Sequence, residues 1–358
     1  MTRPSVVPSA GFWAGKRVLI TGHTGFKGAW LAAWLLADGA EVMGLSLAPD
    51  TDPSLYEQIG LRGRMAEAIA DIRDVEATAD VVSGFHPDVV FHLAAQSLVR
   101  RSYRDPLGTW GTNVMGSANL LAACSALDRP CAMVLVTTDK VYENREWLYP
   151  YRETDRLGGH DPYSASKAAS EILIASWRAS FLAGGPVRLA SARAGNVIGG
   201  GDWAEDRILP DLVRARQAQR PLDVRNPDAT RPWQHVLEPL SGYRLLAERL
   251  CTDPDPALEG AFNFGPDEAG QQPVRKLLEA AELHWPGGWT QTGAGGQPHE
   301  ATLLALTIEK ARKVLGWSPR WGFGRAVAET IGWYRAVHQG GDAAALVAEQ
   351  IAAFEATA

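Results

Sequence analysis

Short apolar runs alternate with helical patterns through the first two-thirds of the chain. Several runs are unbroken, as in Val89-Val90-Phe91 and Met133-Val134-Leu135-Val136, which is typical of parallel strands covered on both faces. We predict strands at 17–21, 41–47, 67–71, 89–94, 131–137 and 187–193, with helices at 26–38, 74–84, 107–127 and 163–182. This alternation predicts an α/β fold with a doubly wound parallel sheet and right-handed crossovers.

The pattern loosens after about residue 195. Turns rich in glycine and proline separate shorter helices, which we predict at 206–218, 235–250, 273–284 and 322–338, with an alanine-rich helix over 343–358. We therefore predict a sheet domain over residues 1–195 and a smaller α/β lobe mainly over 196–358. Later segments of the chain are able to return to the sheet domain.

Charge and composition narrow the functional classes. A formal net charge of -6 gives no electrostatic reason to expect nucleic acid as a partner. No stretch approaches 18 apolar residues and the first 16 residues lack an apolar signal core, so we expect a cytoplasmic protein that does not enter a membrane. Cys124, Cys131 and Cys251 lack metal-ligand spacing, which predicts free thiols and no metal site.

A glycine-rich turn follows the first predicted strand and opens the first helix. It reads Thr21-Gly22-His23-Thr24-Gly25-Phe26-Lys27-Gly28. Such a turn lets the backbone approach a pyrophosphate, and the N-terminus of the helix stabilises its charge. The turn identifies residues 1–195 as a Rossmann domain and predicts a dinucleotide site that includes Gly22, Thr24, Gly25, Phe26, Lys27 and Gly28.

The segment after the turn bears on which dinucleotide binds. No Arg or Lys lies between Lys27 and Arg62 to hold a 2′-phosphate, which favours NAD over NADP. The acidic partner of the ribose is not clear, because Asp50 and Asp52 lie beyond the second strand. Asp71-Ile72, at the end of the third strand, is placed to contact the adenine, although Asp71 alone would suit an ordinary surface aspartate.

A phenol and an ammonium lie four residues apart on one predicted helix, at Tyr163 and Lys167. A phenol has a pKa of about 10, and a nearby ammonium together with a nicotinamide cation would lower it. Tyr163 could then accept the proton of an alcohol while Lys167 holds the nicotinamide ribose. Thr138 ends the strand at 131–137 and could hydrogen-bond the same oxygen. The following Asp139-Lys140 would, in isolation, suit a solvated turn.

Together these motifs resemble the extended branch of the short-chain dehydrogenase/reductase superfamily, which uses this three-residue glycine spacing. More narrowly they resemble the CDP-glucose 4,6-dehydratase family. The similarity runs from about residue 12 to 340, and its specific segments are Phe91–Gln96, Asp139–Trp147, Arg193–Trp203, Arg231–Leu240, Phe262–Pro266 and Leu315–Trp317.

The resemblance implies dehydration of CDP-D-glucose to a 4-keto-6-deoxy sugar nucleotide, with NAD recycled, for deoxysugar and lipopolysaccharide synthesis. Tyr163 would take the 4-hydroxyl proton, and Asp139 would protonate the leaving C6 hydroxyl. Lys140 would remove the C5 proton, or would stay charged and stabilise the enolate. Related TDP- and GDP-sugar dehydratases have Asp-Glu where this chain has Asp-Lys. Leu93, Ala94 and Ala95 would join the cofactor site.

The resemblance also implies contacts with the substrate and between subunits. Six residues are implied to bind substrate, namely Asn196, Arg207, Arg231, His235, Asn263 and His299. An arginine guanidinium matches phosphate oxygens well, whereas either histidine would equally suit a buried structural role. The family typically forms a homodimer or homotetramer, through helices near 107–127 and 163–182.

Two other classes of function stay open at this point. One is a dehydratase for a different nucleotide sugar or a 4-epimerase of the same branch, although epimerases usually lack the acid–lysine or acid–glutamate pair. The other is a catalytically silent NAD-sensing regulator, which could lose Tyr163 or Lys167, both of which this chain retains.

Overall fold

The computed structural model describes residues 11–292 and 303–357. Its main sheet has seven strands: β1 (Arg17–Thr21), β2 (Glu41–Ser46), β3 (Ala66–Ile69), β4 (Val89–His92), β5 (Cys131–Val136), β6 (Val187–Ala194) and β7 (Ala261–Phe264). They lie in the order β7-β6-β5-β4-β1-β2-β3, and every pair is parallel. The predicted doubly wound sheet is therefore confirmed, and the strand order reverses between β1 and β4, where such sheets bind ligands.

Twelve α-helices connect and cover the strands within the described residues. They are α1 (Phe26–Ala37), α2 (Leu55–Gln58), α3 (Val75–Phe85), α4 (Val99–Arg104), α5 (Pro106–Trp110), α6 (Ser117–Ser125), α7 (Pro162–Trp177), α8 (Ile208–Gln217), α9 (Leu237–Thr252), α10 (Val274–Glu282), α11 (Phe323–His338) and α12 (Ala343–Glu355). None of these is long and apolar enough to cross a membrane.

Shorter elements complete the described chain. Three two-stranded pairs join Val197–Ile198 to Gln234–His235, Thr230–Pro232 to Gln271–Pro273, and Leu222–Val224 to Trp289–Gln291. Three turns are π-helical (Gly111–Gly116, Arg178–Leu182, Ala311–Leu315) and three are 3₁₀ (Asp139–Val141, Pro256–Leu258, Glu268–Gly270).

Two apolar clusters cover the two faces of the sheet. One contains Trp30 of α1, Leu240 of α9 and Phe354 of α12. The other contains Val82 of α3, Leu120 of α6 and Ile174 of α7. All six residues of β5 are buried, which explains why its apolar run is unbroken.

Segments beyond residue 195 contribute to both parts of the molecule. Strand β7 pairs with β6, and α9 packs in the apolar cluster against the sheet. A third cluster joins Leu212 of α8, Leu277 of α10 and Val327 of α11. This last cluster lies within residues 196–358, where we predict the smaller lobe. The pattern missed β7, because it has four residues and a polar Asn263 interrupts them.

Candidate active site

A cleft of about 1680 Å³ lies along the carboxyl ends of the strands. It is bounded by the glycine turn, the ends of β2, β4 and β5, the start of α7 and segments of the smaller lobe. Single small-molecule pockets usually occupy about 300–1,000 Å³. The cleft is therefore large enough for two ligands of nucleotide size.

The glycine turn forms a cradle for a phosphate group. Gly22 has a φ of +79°, and a Cβ there would lie 2.7 Å from the backbone N of Ala94. A Cβ at Gly28 would lie 2.1 Å from the carbonyl oxygen of Gly22, so neither glycine tolerates a side chain. Gly25 caps α1 with no side-chain hydrogen bond, which leaves the first amides of the helix available to an anion. The cradle therefore fits the pyrophosphate of a dinucleotide.

The walls of the cradle are held by hydrogen bonds among the predicted cofactor residues. The Thr24 hydroxyl bonds Ser46 Oγ at 2.7 Å and donates to the Leu47 carbonyl at 2.9 Å. The Ala94 amide donates to Thr21 Oγ1 at 3.2 Å. Phe26, Lys27, Leu93, Ala94 and Ala95 all line the cleft. The structure thus brings the ends of β1, β2 and β4 to one site.

The predicted adenine contacts are placed less simply. Asp71 lines the cleft, but the Arg73 side chain bonds its carboxylate at 2.6 Å and lowers its pKa. The Ile72 side chain is buried, and a Cβ at Gly116 would lie 2.6 Å from its Cγ2. A contact of either residue with adenine stays a prediction.

The proposed proton acceptor lies at the start of α7. Asp161 and Ser164 form a reciprocal capping box, with backbone-to-side-chain bonds of 3.0 and 3.1 Å, and Pro162 occupies the first turn. Tyr163 is therefore held at a helix start that faces the cleft. Burial raises the pKa of its phenol to about 12, while a hydrogen bond with Thr138 acts in the opposite direction.

Lys167 lies one turn further along α7. It is 5% exposed, and its Nζ donates to the carbonyl oxygen of Val136 at 3.1 Å. Burial lowers the pKa of Lys167 to about 8, and the carboxylate of Glu171 opposes that shift. The ammonium is thus fixed at the end of β5, on the helix turn that follows Tyr163.

Asp139 and Lys140 follow Thr138 at the end of β5. The Thr138 hydroxyl donates to Asp139 Oδ1 at 3.0 Å and accepts from the Lys140 amide at 3.3 Å. Asp139 is 2% exposed, and burial raises the pKa of its carboxyl. Among the described residues, its Oδ2 has no hydrogen-bond partner. A buried carboxyl that favours its protonated form can act as a general acid.

The predicted substrate residues separate into two groups. Asn196, Arg207 and Arg231 line the cleft. Arg231 is buried and its Nη1 donates to the Thr230 carbonyl at 2.9 Å, while Arg207 Nη1 lies 3.3 Å from Asp202 Oδ2. The two guanidinium groups are placed where a substrate phosphate could meet them.

His235 and Asn263 do not line the cleft, so both assignments are corrected. His235 is 0% exposed, its ring centroid lies 4.9 Å from that of Trp321, and burial lowers its pKa to about 3. Asn263 accepts from the Tyr142 hydroxyl at 2.7 Å and donates to the Tyr151 carbonyl at 3.0 Å. Packing determines both positions. His299 lies outside the described residues.

A family model described as GDP-mannose 4,6 dehydratase matches residues 19–256 of this chain. The chain belongs to this family. A curated relative, the CDP-glucose 4,6-dehydratase of Salmonella typhimurium, is 45% identical over 338 residues, which is 92% of this chain and 94% of the relative.

Solved structures agree with this placement. The UDP-glucose 4-epimerase of Thermus thermophilus, in complex with NAD, is 26% identical with a TM-score of 0.75, and the match covers 89% of this chain and 99% of the epimerase. The UDP-glucose 4-epimerase of Stenotrophomonas maltophila has a TM-score of 0.79 at 24% identity, over 91% of this chain and all of the other, and shows the same fold. This member of the 4,6-dehydratase family is an NAD-dependent hydro-lyase.

In this dehydratase two groups able to transfer protons meet at Thr138. Tyr163 and Lys167 lie on α7, whereas Asp139 and Lys140 lie in the turn after β5, and Thr138 hydrogen-bonds members of both groups. One group can accept a hydroxyl proton while the other assists a leaving oxygen.

Three polar residues near the dehydratase site escaped sequence analysis. Asp202 pairs with Arg207 at 3.3 Å, and Glu171 pairs with Arg193 at 2.8 Å beneath the catalytic turn. Glu171 could have been predicted from its spacing, because it follows Lys167 by four residues and so shares its helix face. The positions of Asp202 and Arg193 depend on contacts between distant segments.

Proposed function

We propose that this chain converts CDP-D-glucose into CDP-4-keto-6-deoxy-D-glucose and water. The observation that carries the proposal is the 45% identity to the Salmonella CDP-glucose 4,6-dehydratase over 92% of the chain. The Asp139-Lys140 pair at the end of β5 supports it, because an elimination needs both an acid and a base. Bound NAD would take a hydride from C4 of the sugar and return it to C6.

The first proton step belongs to Tyr163. Its phenolate would take the proton of the 4-hydroxyl as the C4 hydride leaves for the nicotinamide, and Thr138 would hydrogen-bond the same oxygen. The Lys167 ammonium, fixed on the Val136 carbonyl at 3.1 Å, favours the phenolate by charge. The positive nicotinamide ring would act in the same direction. The nicotinamide charge would therefore lower the pKa of the Tyr163 phenol from the value of about 12 that burial gives it.

The elimination belongs to Asp139 and Lys140. The 4-ketone makes the C5 proton acidic. Lys140 removes that proton as a neutral amine, or it stays charged and stabilises the enolate while another group acts as the base. Asp139 donates a proton to the C6 oxygen as the C6–O bond breaks, which releases water. The raised pKa of the buried Asp139 carboxyl keeps a proton available for that transfer. Arg207 and Arg231, with Asn196, hold the sugar diphosphate.

Turnover of four nucleotide sugars in deuterated water tests the proposal. Among CDP-, TDP-, GDP- and UDP-glucose, we expect CDP-glucose to give the highest kcat/KM, and a product lighter by one water that carries deuterium at C5. A higher kcat/KM for another nucleotide would overturn the choice of substrate. Inversion at C4 with no loss of water would instead support the epimerase alternative.

We further propose that two copies associate through α5–α7 and the π-helical turns that adjoin them. Exposed apolar side chains gather on these elements, at Leu107, Trp110, Met115, Ile172 and Phe181. A monomer rarely leaves so many large apolar groups exposed on neighbouring helices. A homodimer with a two-fold axis would bury them by pairing the same face of each copy, and a homotetramer would pair two such dimers.

Sedimentation of a variant with one introduced charge tests whether this face forms the dimer interface. Ile172→Glu places a charge at a side chain that is 62% exposed in the chain alone, and we expect it to shift a dimer towards monomer. Leu283→Glu, at an 82% exposed leucine after α10, is the matched control and should sediment as wild type. A monomeric wild type, or equal effects of the two substitutions, would contradict the proposed face.

We also infer a cytoplasmic enzyme that supplies deoxysugars for polysaccharides such as lipopolysaccharide. Its three cysteines are unpaired, which suits a reducing compartment. The proposed substrate is an activated sugar, and a 4-keto-6-deoxy product is ready for reduction or amination at C4.

A further inference from the structure

A buried ion pair lies close to the turn after β5 that carries Asp139 and Lys140. Glu171 and Arg193 are 4% and 3% exposed, and Arg193 Nη2 donates to Glu171 Oε2 at 2.8 Å. A second bond runs from Arg193 Nε to Glu171 Oε1 at 3.0 Å, so the pairing is bidentate. An ion pair taken this far out of water is a weak source of stability. Stability alone therefore does not explain why this ion pair lies next to the catalytic residues.

The carboxylate of Glu171 on α7 hydrogen-bonds one residue at the end of β5 and one in the neighbouring strand β6. It accepts from Thr137 Oγ1 at 2.5 Å and from Ser191 Oγ at 2.7 Å. Thr137 lies between Val136, whose carbonyl accepts from Lys167, and Thr138, which bonds Asp139 and Tyr163. Glu171 thus holds the end of β5 against α7, where the two proton-transfer groups meet.

Arg193 extends the same network to the residues after Lys140. Its Nη1 donates to the Tyr142 hydroxyl at 2.8 Å and to the Glu153 carbonyl at 3.1 Å. Tyr142 in turn donates to Asn263 of β7 at 2.7 Å. The 3₁₀ turn of Asp139–Val141 is therefore tied at one end to Glu171 through Thr137 and at the other end through Arg193.

We infer that Glu171, held by Arg193, is a positioning residue for the dehydration: it keeps the Lys167 ammonium and the Thr137-Thr138 hydroxyls in register with Tyr163. Glu171 does not line the cleft, whereas Lys167 and Thr137 do, so Glu171 acts through its neighbours. The inference rests on the proposed function, because dehydration is the reaction whose rate it concerns.

The charges around Lys167 make the inference testable by pH. Burial lowers its pKa to about 8, and Glu171 is the group that raises it. His92 of β4 also faces Lys167, but its pKa is lowered to about 3, so it stays neutral. Burial lowers the pKa of Lys27 of α1 to about 8, and the charge of Lys27 also interacts with that of Lys167. Tyr163 lies one turn before it on α7.

Glu171→Gln keeps the shape of the side chain and removes its charge. The Lys167 ammonium would then lose a favourable neighbour, so its pKa falls and the ammonium is lost at lower pH. We expect the alkaline limb of the kcat/KM profile to move to lower pH by about one unit. Activity below pH 7 should stay within about threefold of wild type, while activity at pH 8 falls about fivefold. A purely structural role would lower Tm without moving that limb.

Two further variants keep the test decisive. Glu171→Gln leaves Arg193 buried and unpaired and could impair folding, so the double variant Glu171→Gln with Arg193→Met removes both charges. It should show the same shift of the alkaline limb. Glu259→Gln breaks a half-buried ion pair with Arg188, which lies on β6 as Arg193 does. In that pair Arg188 Nε lies 2.9 Å from Glu259 Oε1. That control should keep the wild-type pH profile.

The outcomes separate the inference from the proposed function. Wild-type dehydration of CDP-glucose, with an unmoved alkaline limb in both Glu171 variants, would overturn the positioning role alone. Absence of dehydration by the wild type with any of the four nucleotide sugars would overturn the proposed function. A shifted limb with Glu259→Gln as well would show a general effect of losing an ion pair, and would also overturn the inference.

Discussion

Replacement of Tyr163 by phenylalanine should lower kcat for dehydration by about 10³-fold, with little change in KM or NAD binding. The ring occupies the same volume at the start of α7, but the oxygen that accepts the 4-hydroxyl proton is gone. Lys167 and Thr138 stay in place, because their bonds to Val136 and Asp139 do not involve the phenol. Product formation, followed by nuclear magnetic resonance, gives kcat and KM directly.

A tyrosine outside the cleft provides the control for this substitution. Tyr103 on α4 is 42% exposed and does not line the cleft, so Tyr103→Phe should turn over as wild type. Retention of more than about a tenth of wild-type kcat by Tyr163→Phe would show that another group accepts the proton.

Replacement of Asp139 by asparagine should block loss of water but spare oxidation at C4. The carboxyl is buried and favours its protonated form, so a neutral amide of similar shape should be accommodated. Because the amide cannot protonate the C6 oxygen, we expect dehydration to fall by about 10²- to 10³-fold. The 4-ketone still forms, so reduced cofactor should accumulate and be visible by its absorbance.

Exchange of the C5 proton with solvent distinguishes the role of Asp139 from that of Lys140. Asp139→Asn should still exchange the C5 proton with deuterated solvent, whereas Lys140→Ala should lose that exchange. Asp253→Asn is the control, since this aspartate pairs with Arg249 at the end of α9 and does not line the cleft. Normal dehydration by Asp139→Asn, without reduced cofactor, would assign the acid to another group.

The agreement between sequence and structure is strongest where the signal is local. The glycine turn could be placed because it follows an apolar strand and opens a helix, and the structure explains each position. Gly22 and Gly28 have no room for a Cβ, and Gly25 leaves the helix N-terminus open. Helical spacing alone placed Tyr163 and Lys167 on one face of a helix, and the resemblance supplied their roles.

Predictions from local sequence patterns failed where the environment of a residue depends on distant segments of the chain. His235 and Asn263 were assigned to the substrate by motif, yet one packs against Trp321 and the other bonds Tyr142 of the catalytic segment. Strand β7 is too short and too polar to stand out, although it extends the main sheet. The predicted helix over 107–127 is divided by the π-helical turn at Gly111–Gly116, which packs against α7.

The order of strands and helices, the dinucleotide turn and the spacing of Tyr163 and Lys167 are properties of neighbouring residues, so the sequence alone determined the fold class and the type of cofactor. Burial of the Asp139 carboxyl, the pairing of Glu171 with Arg193 and the removal of His235 from the cleft arise only when β5, β6 and α7 pack together. Solvent exclusion and partner distance set the charge state of each group. The tertiary structure therefore decided which polar residues of this dehydratase face the cleft and which hold it in shape.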